Sequence, residues 1–214
     1  TKQGFYKKVD KDILSLDLNT LEYRPNKKAS FQTLELTKTI DNVIDRFKVL
    51  VNGKDKAGEF YRKSFAGLFA YVSNRVPEIT DDLYKIDDAM KAGFGWEHGP
   101  FQIWDAIGVE KGIELIKENG ENVADWVNEM LASGNKSFYT VKEGATYYYD
   151  IDSKSQKKIP GQDAFIILNN IRDTKKVWGN SDSTLFDLGD GILNLEFHSK
   201  MNSIGGGVIS GINK

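Results

Sequence analysis

Residues 86–101 read IDDAMKAGFGWEHGPF, and residues 104–108 continue the pattern with WDAIG. Gly93 predicts the end of one helix, because glycine tolerates the left-handed backbone that closes helices. Pro100 predicts the start of the next helix, since proline suits the first helical position. The stretch therefore predicts two helices joined by a tight loop in which glycines are needed.

The loop between these two helices has two interpretations. The free amides of residues 99–102 lie at the positive end of the second helix and could receive an anion, such as a phosphate or a thioester oxygen. Alternatively, the glycines only permit close packing of the helices, and the residues by themselves favour this second interpretation. In that case Gly95 would lie in a crowded crossing, and Gly95→Val should destabilise the protein more than Gly120→Val.

Apolar residues at helical spacing continue on both sides of this stretch and predict an all-α unit of five or six helices. The first helix begins at Ser30 and ends at the stop signal Asn52-Gly53. The second helix is apolar around much of its circumference, and this pattern predicts that it is buried. The predicted helices cover about 30–52, 55 to beyond 72, 77–93, 100–107, 109–118 and 122–132.

Alternating residues predict β structure before and after this unit. The first 29 residues indicate a small hairpin or an extended tail. After Gly134 we predict a hairpin, a polar surface loop, a short apolar run that is compatible with helix or strand and favours helix, and a second pair of strands. Their ranges are 138–141 with 146–151, 152–160, 164–171, and 183–188 with 192–197. The expected fold class is mainly α, with a mixed α/β linker.

The composition excludes several classes of protein. The net charge of −2 argues against a nucleic-acid binder, which would show a basic face. No apolar run approaches the ~18 residues that a membrane span needs. The absence of cysteine excludes disulfides and thiolate nucleophiles and indicates a cytoplasmic protein. His98 and His198 are the only histidines, so neither a histidine metal site nor a catalytic triad is expected.

The motif at 86–108 resembles the signature of the C-terminal helical domain of 3-hydroxyacyl-CoA dehydrogenases. There an ID-x-A-M helix leads to G-F-G-[WY], then G-P-F and D-x-x-G. The resemblance implies a structural role for the residues that match this signature, which are Gly93, Gly95, Gly99, Pro100, Phe101 and Asp105. The Gly4-Phe5-Tyr6 segment is similar to the end of a preceding copy of the same domain. Residues 30–133 would then be the second of two tandem copies, and residues 1–29 the tail of the first copy with a connector.

This resemblance implies that the chain contains no catalytic residue. The family's catalytic His and Glu lie in the NAD-binding domain, which would precede this segment. Asn74-Arg75 is similar to the family's N-R pair, but it lies about half the usual distance before the motif. No catalytic role is therefore carried over to Asn74.

Residues 188–204 resemble the opening of a crotonase, the enoyl-CoA hydratase fold. There a D-G-V turn leads into an alternating strand and then into a K-x-N-[AS]-[LIM] loop that holds coenzyme A. The resemblance implies a coenzyme A contact for Lys200, Met201 and Asn202. Residues 183–214 would be the truncated start of that domain, and residues 134–182 a linker that contains the first hairpin.

Together the two resemblances imply an interior piece of a multifunctional fatty-acid β-oxidation enzyme. The whole enzyme would hydrate enoyl-CoA and oxidise the 3-hydroxyacyl-CoA product with NAD, while this piece supplies helical packing like that of a dimer contact. The implied partners are an acyl-CoA substrate, the NAD-binding and crotonase parts of the same polypeptide, and a second copy in a homo-oligomer. Neither NAD nor coenzyme A should bind tightly to this piece by itself. The alternative is a non-catalytic helical scaffold or oligomerisation module.

Overall fold

The chain forms two compact units, Thr1–Arg62 and Lys63–Lys214, in a computed structural model that describes residues 4–26 and 29–214. The first unit opens with an antiparallel sheet in the order β1-β2-β3. Its strands are β1 (Tyr6–Val9), β2 (Asp12–Leu16) and β3 (Tyr23–Pro25). Of the two interpretations of this region, the hairpin is confirmed, and β1 adds a strand that the sequence did not predict.

The single helix predicted from Ser30 is wrong, because the structure has two helices there. These are α1 (Gln32–Thr37) and α2 (Val43–Asn52). Asn42 starts α2 afresh, since its side-chain oxygen accepts the N–H of Ile44 at 2.9 Å. The end of α2 at Asn52, before Gly53, is as predicted.

Asp55, rather than Ser30, satisfies the start of α1. Its carboxylate accepts the N–H of Thr33 at 3.0 Å and the hydroxyl of Thr33 at 2.8 Å. The same carboxylate accepts the N–H of Gly58 at 3.0 Å, in the first turn of the following helix. These hydrogen bonds favour the ionised form and lower the pKa of Asp55 to about 2. One side chain thus caps two helices that are distant in sequence.

Five helices follow in the next part of the chain, and the glycine and proline signals locate most of their ends. They are α3 (Lys56–Arg75), α4 (Leu83–Phe94), α5 (Pro100–Ile107), α6 (Val109–Glu118) and α7 (Asp125–Ala132). The predictions for α5 and α6 are confirmed. The prediction that a helix begins at Pro77 is wrong. Pro77 lies in the turn after α3 and forms a cis peptide with Val76. Similarly, α4 continues through Gly93, and Gly95 caps its end.

The predicted burial of α3 is right for one face only. Phe69 and Ala66 are fully buried, whereas Phe60 is 64% exposed and Tyr71 is 62% exposed. The helix is therefore amphipathic, with aromatic rings on its open side.

Two further sheets lie in the second unit. The hairpin of β4 (Tyr139–Lys142) and β5 (Ala145–Asp150) is confirmed, but β6 (Ser155–Lys158) replaces the loop predicted at 152–160. Asp150 makes this third strand possible, since it accepts the N–H of Ser153 at 2.8 Å and pairs with Lys157 at 2.7 Å. The sequence did not predict β6 because its residues are polar, and they are polar because the strand lies at the edge of the sheet.

The last part of the chain is a three-stranded sheet with a helix before and after it. A 3-10 turn (Gln162–Ala164) precedes the helix, which begins later than predicted. The elements are α8 (Leu168–Lys175), β7 (Lys176–Gly179), β8 (Ser183–Gly189), β9 (Ile192–Phe197) and α9 (Gly206–Ile212). The β8–β9 hairpin is as predicted, and β7 is an additional edge strand in the order β7-β8-β9.

The core of the second unit is a cluster of aromatic rings from helices and sheet. Phe69 stacks on Trp104 with ring centroids 4.8 Å apart. Phe138, just before β4, meets Phe101 at 5.0 Å and Trp104 at 5.1 Å. Because Phe138 is fully buried among helical residues, the β4–β6 sheet and the helices share one core.

The described chain is mixed α/β, with small sheets beside its many helices, so the mainly α prediction is confirmed in part. None of the helices in residues 4–26 and 29–214 has the length and apolar character needed to cross a membrane.

We expect Phe138→Ala to lower the free energy of unfolding by about 3–5 kcal/mol, because it would leave a cavity inside the aromatic cluster. Phe165→Ala is the matched control, since Phe165 is 61% exposed, and it should change that free energy by less than about 0.5 kcal/mol. Urea titration of both variants measures the difference. Similar losses would show that Phe138 does not join the sheet to the helices.

Candidate functional site

Asp87 is the second residue of the motif at 86–108 and is fully buried. The N–H of Phe101 donates to its Oδ1 at 2.9 Å, and the N–H of Gln102 donates to its Oδ2 at 3.0 Å. The hydroxyl of Tyr139 also donates to Oδ2, at 2.8 Å. The protein's own carboxylate therefore occupies the position at the start of α5 where the sequence suggested an external anion.

Neighbouring positions on a helix diverge by ~100°, so the pair Asp87-Asp88 predicts two surface carboxylates rather than a general acid and base. This prediction is wrong for Asp87, which is buried and is the residue around which α4, α5 and β4 meet. A signal for this was present in the sequence. Asp87 lies four positions after Leu83 and three before Met90, on the apolar face of the predicted helix. A carboxylate on an apolar face needs donors from elsewhere in the fold.

Asp105 makes a parallel connection from α5. Its two oxygens accept the N–H groups of Phe138 and Tyr139, each at 2.8 Å. Tyr139 is thus held twice, by its backbone through Asp105 and by its hydroxyl through Asp87. We call Asp87, Asp105 and Tyr139 the carboxylate network.

Burial dominates the electrostatics of the network. It raises the pKa of Asp87 to about 6 and that of Asp105 to about 7, although the hydrogen bonds from backbone N–H groups oppose the shift. The pKa of Tyr139 is raised as well, by burial and by the nearby Asp87. Every hydrogen bond in the network joins the protein to itself, so the arrangement can position elements and store a proton.

Gly99 permits the close approach that the network requires. A Cβ at this position would lie 2.3 Å from the Cβ of Asp87 and 2.4 Å from its Cα. Gly95 is different, since it has a left-handed φ of 67° and no atom within 4 Å of an added Cβ. The prediction that Gly95 lies in a crowded crossing is therefore wrong, and Gly99 is the crowded position.

The other motif residues also serve the architecture. Pro100 and Phe101 are buried at the start of α5, and the side chain of Gln102 accepts the N–H of Gly99 at 3.0 Å. Gly93 lies inside α4, with open space where a Cβ would stand. Of the two interpretations of the loop, packing is the one that the geometry supports.

The residues with a predicted coenzyme A contact form one exposed turn. Lys200, Met201 and Asn202 make a single 3-10 turn, in which the latter two have left-handed φ values of 59° and 50°. The side chain of Met201 is 91% exposed. Ser203 stabilises the turn by donating its hydroxyl to the carbonyl of Lys200 at 2.9 Å. The structure brings the three residues together, and their role stays a prediction.

Two other residues considered from the sequence have structural partners. Asn74 donates its side-chain N–H to the carbonyls of Ala70 at 2.8 Å and Asn122 at 3.0 Å, which ties α3 to the segment before α7. His198 shares a hydrogen bond of 2.9 Å with the hydroxyl of Thr184. Across residues 4–26 and 29–214, no group of three or more His, Cys, Asp or Glu side chains is arranged to hold a metal ion.

Three known proteins are similar in sequence to this chain. The chain is 39% identical, over 99% of its length, to a Bacillus subtilis protein named "Probable 3-hydroxyacyl-CoA dehydrogenase". It is 27% identical over 78% of its length to a Rickettsia prowazekii protein named "Putative fatty acid oxidation complex trifunctional enzyme". A Rickettsia felis protein of the same name is 26% identical over 77% of the chain. No family model matches, and no solved structure matches.

These relatives are much longer than the chain, which spans 27%, 21% and 22% of their respective lengths. At the level of these names, the chain is related to 3-hydroxyacyl-CoA dehydrogenases, as the motif at 86–108 predicted. The resemblance of residues 188–204 to crotonases stays a prediction.

We expect Gly99→Ala to destabilise the protein more than Gly95→Ala. The added methyl at 99 would separate α4 from α5, at a cost of roughly 1–3 kcal/mol for overpacking, and would strain the Asp87 hydrogen bonds. At 95 only the left-handed backbone would resist, at roughly 1–2 kcal/mol. Thermal unfolding midpoints measure both effects, and an equal or reversed order would contradict the close approach at Gly99.

A second prediction concerns pH. The folded-state pKa of Asp105 is about 7, whereas the unfolded value is about 3.9. A raised pKa means that the folded protein holds the proton more tightly. The stabilisation from this group is therefore complete below about pH 4 and is lost as the pH rises through 7. For one group the slope cannot exceed about 1.4 kcal/mol per pH unit.

We therefore expect Asp105→Asn to flatten the decrease in unfolding free energy between pH 5 and pH 7, as measured by urea titration at each pH. The matched control is Asp88→Asn, because the side chain of Asp88 is exposed and pairs with Lys91 at the surface. An unchanged slope in Asp105→Asn would show that this carboxyl does not take up a proton in that range.

Proposed function

We propose that this chain is the helical, non-catalytic part of a fatty-acid β-oxidation enzyme that oxidises 3-hydroxyacyl-CoA with NAD and hydrates enoyl-CoA. The observation that carries the proposal is that the residues of the motif at 86–108 hold structural elements together. Asp87, Gly99, Phe101 and Asp105 are all engaged in joining α4, α5 and β4. The similarity to a protein named for 3-hydroxyacyl-CoA dehydrogenase, which extends over nearly the whole chain, supports the same proposal.

The proposed role of the segment is packing against another copy of the same domain within a longer polypeptide. Such a role needs apolar surface on a rigid helix. The open face of α3 offers this in the first unit, where Phe60 is 64% exposed and makes an edge contact with Tyr61 at 5.5 Å. Apolar surface of this kind is typical of sites that another protein surface covers.

We further propose that NAD and an acyl-CoA thioester bind to the longer protein. NAD would accept hydride from the 3-hydroxyacyl group, and the thioester carries the acyl chain. Within this chain, Lys200, Met201 and Asn202 would contribute to the coenzyme A site. Their exposed turn fits such a role, because a lysine ammonium suits a phosphate and the turn presents backbone groups to solvent.

The test compares the protein encoded by the complete gene with the chain of 214 residues. With 3-hydroxybutyryl-CoA and NAD, we expect NADH formation by the complete protein and none by the chain. With crotonyl-CoA, we expect hydration by the complete protein only. Turnover by the purified chain would contradict its non-catalytic role. Absence of both activities in the complete protein would instead favour a helical scaffold.

We also expect Asp87→Asn in the complete protein to lower the temperature at which activity is lost, while the KM for the acyl-CoA below that temperature stays unchanged. Asn can accept with only one oxygen, so one of the three donors that face Asp87 would lose its acceptor, at a cost of roughly 1–3 kcal/mol. Asp88→Asn is the control. A change in KM without a change in thermal inactivation would show direct participation of Asp87 in substrate binding.

A further inference from the structure

An apolar groove of about 390 Å³ lies between α3 and α4 in the second unit, apart from the residues assigned so far to cofactors or substrate. Its walls come from side chains on both helices and from the start of α5: Leu68, Val72, Ile86, Ala89, Met90 and Pro100. The volume falls within the range of roughly 300–1,000 Å³ that is typical of small-molecule sites. Met90 can adapt its shape to different occupants, because its side chain is unbranched and flexible.

Two cations flank one end of this groove. Arg75 ends α3, Lys85 lies in the first turn of α4, and both line the groove together with Thr80. Because a short connection at 76–82 joins the two helices, Arg75 and Lys85 lie at the same end. The remaining residues that line the groove, which include Leu68 and Pro100, carry no charge. The groove is therefore lined mostly by apolar side chains, and its two cationic side chains lie at one end.

The partners of the two cations are at the protein surface. Arg75 pairs with Glu78 at 2.5 Å, and Lys85 pairs with Asp82 at 2.8 Å. The side chain of Glu78 is 60% exposed, so this ion pair is held in contact with water and can open. The guanidinium of Arg75 lies 5.3 Å from the ring centre of Tyr71, and its buried Nε has no hydrogen-bond partner among the described residues. Arg75 thus has donor capacity that its present contacts leave unused.

We propose that this groove binds a linear aliphatic carboxylate of medium chain length. The chain would lie between α3 and α4 against Val72 and Met90, and the carboxylate would meet Arg75 and Lys85. The two cationic side chains at one end, one of which has an unused N–H donor, favour a carboxylate over a neutral apolar molecule, and the apolar lining between α3 and α4 favours an aliphatic tail. This inference goes beyond the proposed function and does not depend on it, since it concerns binding by this chain alone.

The experiment titrates the chain of 214 residues with decanoate below its micelle concentration and measures binding by calorimetry. We expect saturable binding at one site. Ala89→Phe should fill the groove and weaken binding at least tenfold, while Ala132→Phe, at the exposed end of α7, should leave it unchanged. Circular dichroism of each variant checks that it is folded.

Substitutions at the charged end test the orientation of the ligand. Arg75→Gln should weaken decanoate binding about tenfold, and Glu78→Gln should strengthen it several-fold, because it removes the competing carboxylate. If Arg75 had a purely structural role, Glu78→Gln would not strengthen decanoate binding. Decyltrimethylammonium, with the same tail and a cationic head, should bind at least tenfold more weakly than decanoate.

Several outcomes would overturn the proposal. These are no saturable binding, equal binding by Ala89→Phe and Ala132→Phe, or equal affinity for the anionic and cationic amphiphiles. A dimer in sedimentation equilibrium that Ala89→Phe abolishes and decanoate leaves intact would assign the groove to a second copy of the chain. The activities of the complete protein are measured separately, so this proposal and the proposed function fail independently.

Discussion

The arrangement of the second unit depends on a carboxylate that has been removed from water. Burying an ionised group is costly unless it is fully hydrogen-bonded. Asp87 meets this requirement with three donors that come from the start of α5 and from β4. The positions of Gly99 and Pro100 follow from it, since a Cβ at 99 would meet Asp87 and a proline at 100 has no N–H in need of an acceptor. Asp105 applies the same principle once more, between α5 and the residues at the start of the sheet.

The sequence predicted the elements whose ends are determined locally and missed those determined by distant contacts. Helices α5 and α6 begin and end as predicted, because Pro100, Gly108 and Asn119 act on their own neighbours. The start of α1 at Gln32, rather than at Ser30, was missed for this reason. Asp55 accepts the N–H of Thr33 from 22 positions away, and no period of apolar residues reports such a contact.

In the candidate site, too, local features were predicted from the sequence and distant contacts were missed. The motif led to the correct loop and to the relationship with 3-hydroxyacyl-CoA dehydrogenases, because its residues are ordered along the chain. The partnership of Asp87 with Tyr139 could not be predicted in this way, since it joins a helix to a strand that follows much later. The groove between α3 and α4 was missed for a related reason. Its walls are the ordinary apolar residues of two helices, and only their separation in space distinguishes it from a filled core.

The sequence distance between Asp87 and Tyr139 has a consequence for biosynthesis. The two residues are 52 positions apart, so α4 leaves the ribosome well before its last donor exists. At roughly 5–20 residues per second, translation leaves this interval open for roughly 3–10 seconds. During that time the nascent helices carry an aspartate that lacks one partner and a core that lacks the ring of Phe138. The helical segment therefore exposes part of its core until β4 has emerged, and synonymous codons between 87 and 139 would set how long that exposure lasts.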